Sequence, residues 1–138
     1  MKQPHSPFVL VQALANLGRA ALLERLARRG LTDIGMPDVK LLWCLDEAPI
    51  TVQQAAQMMG TTKQFAARTV AKLQAEGLVE VGIHPTDRRA SAVTATRKGA
   101  ELVAILAEER DVIEQDWRAR IGAEELASLA RSLGRLVP

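Results

Sequence analysis

The chain has 138 residues, 48% of them hydrophobic, and a formal net charge of +2. This allows one domain with a core and an interface, and it excludes a generally basic polymer. One cysteine, Cys44, excludes an internal disulfide. No apolar run reaches the roughly 18–20 residues of a membrane span, and the start, Met1-Lys2-Gln3-Pro4-His5-Ser6-Pro7, lacks the apolar core and cleavage site of a secretory leader. A reducing cytoplasm, with no membrane partner, is the setting expected. The distribution of charge says more than its total. Between Gly60 and Gly99 stand seven cations and three anions, an excess of +4, which leaves −2 for the rest of the chain. A basic excess of this size on its own is equally a solvated face; what decides is the order of elements that carries it.

Two prolines before the first helix suggest an extended arm. The helix is expected from Pro7 or Phe8 to Arg29, with Leu10, Ala13, Leu14, Leu17, Ala21 and Leu26 as a broad apolar stripe and Gly30 as its stop. Leu31 to Pro37 reads as a connector. Asp38 is placed to cap a second helix over Val39 to Asp46, which holds Leu42, Trp43 and Leu45. Cys44 lies in it with Lys40 as the one cation near in sequence. A structural thiol is favoured there over a reactive one, which needs a cationic, accessible setting. Ile50 can join a short first strand.

Thr51 opens a third helix. A threonine there can cap free backbone N–H groups, and Gln54 completes a capping box. Val52, Ala55, Ala56 and Met59 follow at helical spacing, and Gly60 is the stop. The fourth helix runs from about Thr62 to Glu76 and ends at Gly77. At 3.6 residues per turn Ala66, Val70 and Leu73 share one face. Thr61, Gln64, Arg68 and Lys72 share the opposite one, with Phe65 at its edge. A small apolar face backed by amides and cations is what a DNA recognition helix needs. Gln64 and Arg68 are the candidates for base contact; Thr61, Thr62, Lys63 and Lys72 are placed to hold phosphates.

Val79, Val81 and Ile83 then alternate with Glu80 and Gly82, the period of a half-buried strand. His84-Pro85-Thr86-Asp87 is turn chemistry. Arg88 and Arg89 sit at the tip, and Ala90 to Ala95 return as the partner strand. Such a tongue with paired arginines suits a minor groove. Thr96 is placed to cap a long fifth helix, Arg97 or Lys98 to Ile121. Its apolar stripe is Leu102, Ile105, Leu106, Val112, Ile113 and Trp117, with Glu101, Glu108, Glu109, Arg110, Glu114 and Arg118 as polar neighbours. Gly122 breaks it, and a last helix carries Leu126, Leu129, Leu133, Leu136 and Val137. Long apolar stripes at both ends of so small a chain need covering. A two-fold dimer covers them through Leu10, Leu14, Leu17, Trp117, Leu126, Leu129 and Leu133, and it sets two recognition helices on one face of DNA. The alternative is packing within the monomer.

Catalysis is poorly supported. His5 and His84 lack metal-ligand spacing to a second histidine or cysteine. Ser6, His84 and Asp87 form no ordered triad, and there is no phosphate loop or dinucleotide fingerprint. The acidic group Glu108, Glu109, Asp111 and Glu114 on a helix reads as a solvated face rather than a cation site. No enzyme activity, cofactor or metal is expected.

The run Leu73-x-x-x-Gly77-Leu78-Val79, then Asp87-Arg88-Arg89, then Thr96-x-x-Gly99 resembles the MarR-type transcriptional regulators. Asp-x-Arg in the wing followed by a Thr-x-x-Gly helix start is that family's most specific pattern, and Asp87 and Arg89 fill it. Two positions depart from it: Ala95, where a larger aliphatic residue is usual, and Phe65, where small hydroxyl residues are common. The resemblance implies that Asp87 orients the wing and that an arginine reaches the minor groove. It also implies a small-molecule effector between the dimer helices and the DNA-binding lobe, where Arg19 and Trp43 could form a lining. The expected architecture is mainly α with a small β-wing. A winged helix-turn-helix over residues 38–96 is flanked by helical dimerisation regions at 8–30 and 97–138. The expected function is that of a dimeric, ligand-responsive repressor binding double-stranded DNA at a pseudo-palindromic site. A winged-helix module that binds a protein instead is the other class this pattern allows.

Overall fold

A computed structural model describes residues 6–45 and 48–138. The expected arm with His5, and the expected helix end at Asp46, lie outside the described residues. The elements in order are α1 (Pro7–Arg28), α2 (Met36–Cys44), α3 (Val52–Met59), α4 (Lys63–Ala75), β1 (Val79–Ile83), β2 (Ser91–Ala95), α5 (Arg97–Ile121) and α6 (Ala123–Leu136). The two strands pair antiparallel with Val79 opposite Ala95 and Ile83 opposite Ser91. Ile50 adds a single bridge to Val93, the short first strand of the wing.

Local chemistry sets most of these boundaries. Thr51 Oγ1 accepts from Gln54 N at 3.1 Å, while Gln54 Oε1 accepts from Thr51 N at 2.9 Å, so the capping box is closed in both directions. Thr62 Oγ1 accepts from Phe65 N, and Thr96 Oγ1 from Gly99 N. Gly60 and Gly77 end α3 and α4 at φ of 67° and 74°, the left-handed region that a residue with a Cβ enters at a cost.

Helix α2 departs from expectation. It starts three residues early, with Gly35 as its cap and Asp38 in its first turn rather than in front of it. The Asp38 carboxylate still serves the helix start, accepting from Gly35 N at 2.9 Å. The Met36-Pro37 pair explains the earlier start, because proline is pre-set for a first turn and has no N–H to leave unpaired.

The core lies inside the winged lobe. Leu41, Leu42 and Val39 of α2, Ala55 of α3, Ala66 and Leu73 of α4, and Val93 of β2 are wholly buried, and Leu26 of α1 and Leu106 of α5 close the cluster from outside. In α1 the buried residues are Leu22 and Leu26; Leu10 and Leu17 of the expected stripe stay exposed, and Leu14 is partly covered. Helix α6 has no buried residue at all. The outer half of β1 is also open: Val79 is buried, whereas Val81 and Ile83 face solvent, so its alternation does not make a half-buried strand beyond the first position.

Glu109 overturns another expectation. It is not part of a solvated acidic face but is 5% exposed, held against α1. Arg29 Nε donates to one of its oxygens at 2.6 Å and Arg25 Nε to the other, while Arg29 also reaches Glu108 at 2.8 Å. The hydrogen bond from Arg29 acts first, and both arginines together hold the Glu109 carboxyl below the usual carboxylate range against the opposing effect of burial. The pair of long helices is thereby clasped where they leave the lobe.

Candidate nucleic-acid interface

Helix α4 is fixed on one side and open on the other. Ala66, Val70 and Leu73 are buried as expected, and Thr69 joins them at 6% exposed. A hydroxyl at that depth needs a partner, and Thr69 Oγ1 donates to the carbonyl of Phe65 one turn back. This places a polar residue in the core that hydrophobic spacing alone does not predict.

On the outer side, Thr62, Lys63, Gln64, Phe65 and Arg68 are exposed, and Thr61 is half-buried beside them. Lys63 and Arg68 form no ion pair among the described residues, so their charges stand free in solvent. Thr62 Oγ1 caps α4 as an acceptor, which leaves its O–H to donate outward and holds the first helical turn, with Lys63, Gln64 and Phe65, in register. Phe65 is 40% exposed, an apolar ring on a polar face. It also borders a small cleft with Arg19, Met36 and Lys40.

Lys72 is the exception on this face. Its ammonium donates to Asp38 Oδ2 at 2.5 Å and to the Asp33 carbonyl at 2.8 Å. The Asp38 carboxylate beside it raises the Lys72 ammonium above the ordinary lysine range. The side chain expected to hold a phosphate is thus paired within the chain.

The wing tip is ordered by its own turn. Asp87 Oδ1 accepts from Arg89 N at 3.0 Å, and the Asp87 carbonyl accepts from Ala90 N at 3.1 Å. His84 N donates to the Ala90 carbonyl, closing the hairpin, and His84 Nδ1 lies 3.3 Å from Thr86 N. Arg88 and Arg89 project from this turn, exposed and without an ion pair among the described residues. At the base of the wing Thr96 Oγ1 donates to the Gly77 carbonyl at 2.6 Å, and Lys98 Nζ donates to the Glu76 carbonyl at 3.0 Å. The Lys98 ammonium so placed satisfies the carbonyl of Glu76, the cap residue that ends α4. The wing, α4 and α5 are thus joined at one knot.

A separate cavity of about 430 Å³ opens between α1, α2 and α5. Trp43 and Trp117 form its aromatic walls, and Arg19, Lys40 and Arg110 bring cations to it. Arg19 and Trp43 are thus brought together. Cys44 is half-buried, its Sγ 3.0 Å from the Lys40 carbonyl, and burial pushes its thiol up rather than toward the reactive thiolate. Among the described residues no group of three or more histidine, cysteine, aspartate or glutamate side chains could hold a metal ion, and no helix is long and apolar enough to cross a membrane.

The fold and this face define a winged helix-turn-helix protein with long helices at both ends. The sequence model of the MarR family matches residues 29–90. No curated protein matches the sequence. Among solved structures, the apo form of MarR from E. coli is 22% identical with a TM-score of 0.79, over 99% of this chain and 100% of that one. A MarR family transcriptional regulator from Silicibacter pomeroyi is 24% identical with a TM-score of 0.82, over 99% and 96%. A mutant MarR from E. coli complexed with operator DNA is 23% identical with a TM-score of 0.76, over 94% and 91%.

Proposed function

We propose that this chain is a sequence-specific DNA-binding transcriptional regulator that acts as a homodimer and represses by occupying a pseudo-palindromic operator. The observation that carries this is the outer face of α4. Gln64 and Arg68 stand exposed there on a helix whose other face is buried and whose first turn is capped. Gln64 and Arg68 would read base edges in the major groove, while Thr61, Thr62 and Lys63 would hold phosphates. Phe65, at the edge of this face, would lie against thymine methyl groups. Arg88 and Arg89, set by Asp87, would reach the minor groove or its rim. The likeness to a MarR solved with operator DNA supports the same use of the fold.

The dimer reading is supported by apolar surface that the chain does not cover. Leu17 is 69% exposed, and Leu10 and Leu129 are also open. A groove of about 590 Å³ runs between α1, α5 and α6, bordered by Leu14, Leu17, Trp117, Leu126 and Leu129. Leu133 lies on the cavity beside Trp43. A second copy would bury these residues and set two α4 helices about one DNA turn apart, roughly 34–36 Å. The cavity walled by Trp43 and Trp117, with Arg19 at its edge, would take a small-molecule effector. Such an effector shifts the regulator only if it binds one spacing of the recognition helices better than another.

Selection from a random double-stranded DNA pool at near-physiological salt tests this. The expected product is an inverted repeat with half-sites one turn apart. No enrichment, with no binding even at low salt, would instead favour a winged-helix module that binds a protein.

A further inference from the structure

Lys72 stands on the face of α4 that its spacing assigns to DNA, yet its ammonium is turned back into the chain. Of the three N–H groups an ammonium offers, one goes to Asp38 and one to the Asp33 carbonyl, with Glu76 4.0 Å away. Asp38 is 3% exposed, and the same oxygen that meets Lys72 also caps Gly35. A carboxylate at that depth needs a counter-charge. Among the described residues its one ion pair is with Lys72. Asp33 belongs to the connector that leads from α1 into the lobe, and Asp38 to the first turn of α2 just beyond it. One ammonium on the last turn of α4 therefore ties that helix to the point where the lobe meets its long outer helix.

We propose that Lys72 is a positioning residue, which fixes the angle of α4 against the connector through Asp38 and the Asp33 carbonyl, and is not a phosphate contact. The proposal rests on the reading that α4 recognises DNA. Sliding α4 away from the connector would break both bonds and leave Asp38 buried without its cation, so helix and connector move as one. A change in the pose of α1 then reaches the recognition helix directly, without passing through the wing.

The test compares Lys72→Met, Lys72→Arg, Asp38→Asn and the double variant Lys72→Met/Asp38→Asn. Affinity is measured over a range of salt for the selected operator and for a random duplex. A phosphate contact predicts that Lys72→Met weakens both duplexes alike and lowers the slope of log affinity against log salt by about 0.9, with Asp38→Asn neutral. Positioning predicts that Lys72→Met and Asp38→Asn each weaken operator binding by about 2–30-fold, the span for residues that tune a site without touching its ligand. The random duplex and the salt slope stay unchanged, the double variant is no worse than the worse single one, and Lys72→Arg keeps most of the affinity. The phosphate pattern overturns the proposal. Hydrogen exchange of the protein alone gives a second reading. Amides of residues 31–35 should exchange faster in Lys72→Met and Asp38→Asn than in the parent, and equal rates overturn the proposal whether or not DNA is bound. A parent protein that binds no duplex defeats the DNA reading instead, and the exchange rates then decide the role of Lys72. Should Asp38→Asn fail to fold, the contrast between Lys72→Met and Lys72→Arg carries both measurements.

Discussion

Gly99→Ala is the substitution whose effect the structure fixes most tightly. Gly99 lies in the first turn of α5, and a Cβ there would sit 2.0 Å from the Leu78 carbonyl oxygen and 3.0 Å from its carbon. Neither partner is a flexible side-chain end; both belong to the backbone leading into β1. Helix and strand would have to part by about 1 Å, and overpacking of this kind costs roughly 1–3 kcal/mol. The same displacement stretches the bond from Thr96 N to the Leu78 carbonyl, 3.0 Å, and that from Thr96 Oγ1 to the Gly77 carbonyl. Each of these contributes about 1 kcal/mol net. Alanine returns up to about 1 kcal/mol through its better helix propensity. The expected net loss is about 2–4 kcal/mol, a large part of the roughly 5–15 kcal/mol that holds a domain together. Urea unfolding followed by circular dichroism, at one fixed protein concentration, measures it as a shift of the midpoint at unchanged slope. Gly18→Ala is the control: its Cβ would meet Trp117 at an ordinary 3.8 Å inside α1, so the same change there should stabilise by about 0.5–1 kcal/mol. If both variants shifted the midpoint in the same direction, the steric account of the Thr-x-x-Gly motif would be refuted.

Arg68→Ala should lose discrimination among DNA sequences, measured as the ratio of operator to random-duplex affinity; equal loss on both would make Arg68 a phosphate contact. Arg89→Ala should weaken binding and lower the salt slope by about 0.9 if it meets one phosphate, and an unchanged slope would take the wing out of the mechanism. Thr62→Ala removes the cap of α4 and should cost about 1 kcal/mol in thermal or urea unfolding. Glu109, with its carboxyl held low by Arg29 and Arg25, contributes stability that is present above the ordinary carboxylate range, about pH 4.3, and is lost as pH falls through its lower folded value. Glu109→Gln should therefore flatten the acid limb of a stability–pH curve, and an unchanged limb would mean that the clasp is not coupled to folding.

The elements that the sequence makes legible are those whose signals are local. Thr51 with Gln54, Thr62 with Phe65 N and Thr96 with Gly99 N are all partners three residues apart, so reading along the chain finds them. Gly60 and Gly77 end helices for reasons that depend on their own backbone. What escapes is set by partners far away in sequence. Glu109 looks like one of several surface acids until Arg25, 84 residues earlier, meets it. Lys72 looks like a DNA-facing cation until Asp38, 34 residues earlier, takes its charge. Thr69 escapes for a different reason: helical spacing puts it on the face of Ala66, Val70 and Leu73, but its hydroxyl reads as polar until it is seen to donate to the Phe65 carbonyl one turn back. Nor does an apolar stripe say what covers it: the expected stripe of α1 is buried at Leu26 and bare at Leu10 and Leu17, and the other buried residue of the helix, Leu22, lies outside that stripe.

The buried core runs from Leu22 to Leu106, and nothing in α6 or in the first half of α1 belongs to it. The two ends of the chain can therefore drift in sequence under a different constraint from the middle. Substitutions on α6 that alter which surface it fits leave every buried side chain of the lobe in place. In the proposed dimer, duplicated copies of such a gene would part company, each ceasing to mix subunits with the other, while both kept the same outer face of α4. Conversely, a new reading head could be set between old ends by exchanging one continuous stretch of coding sequence.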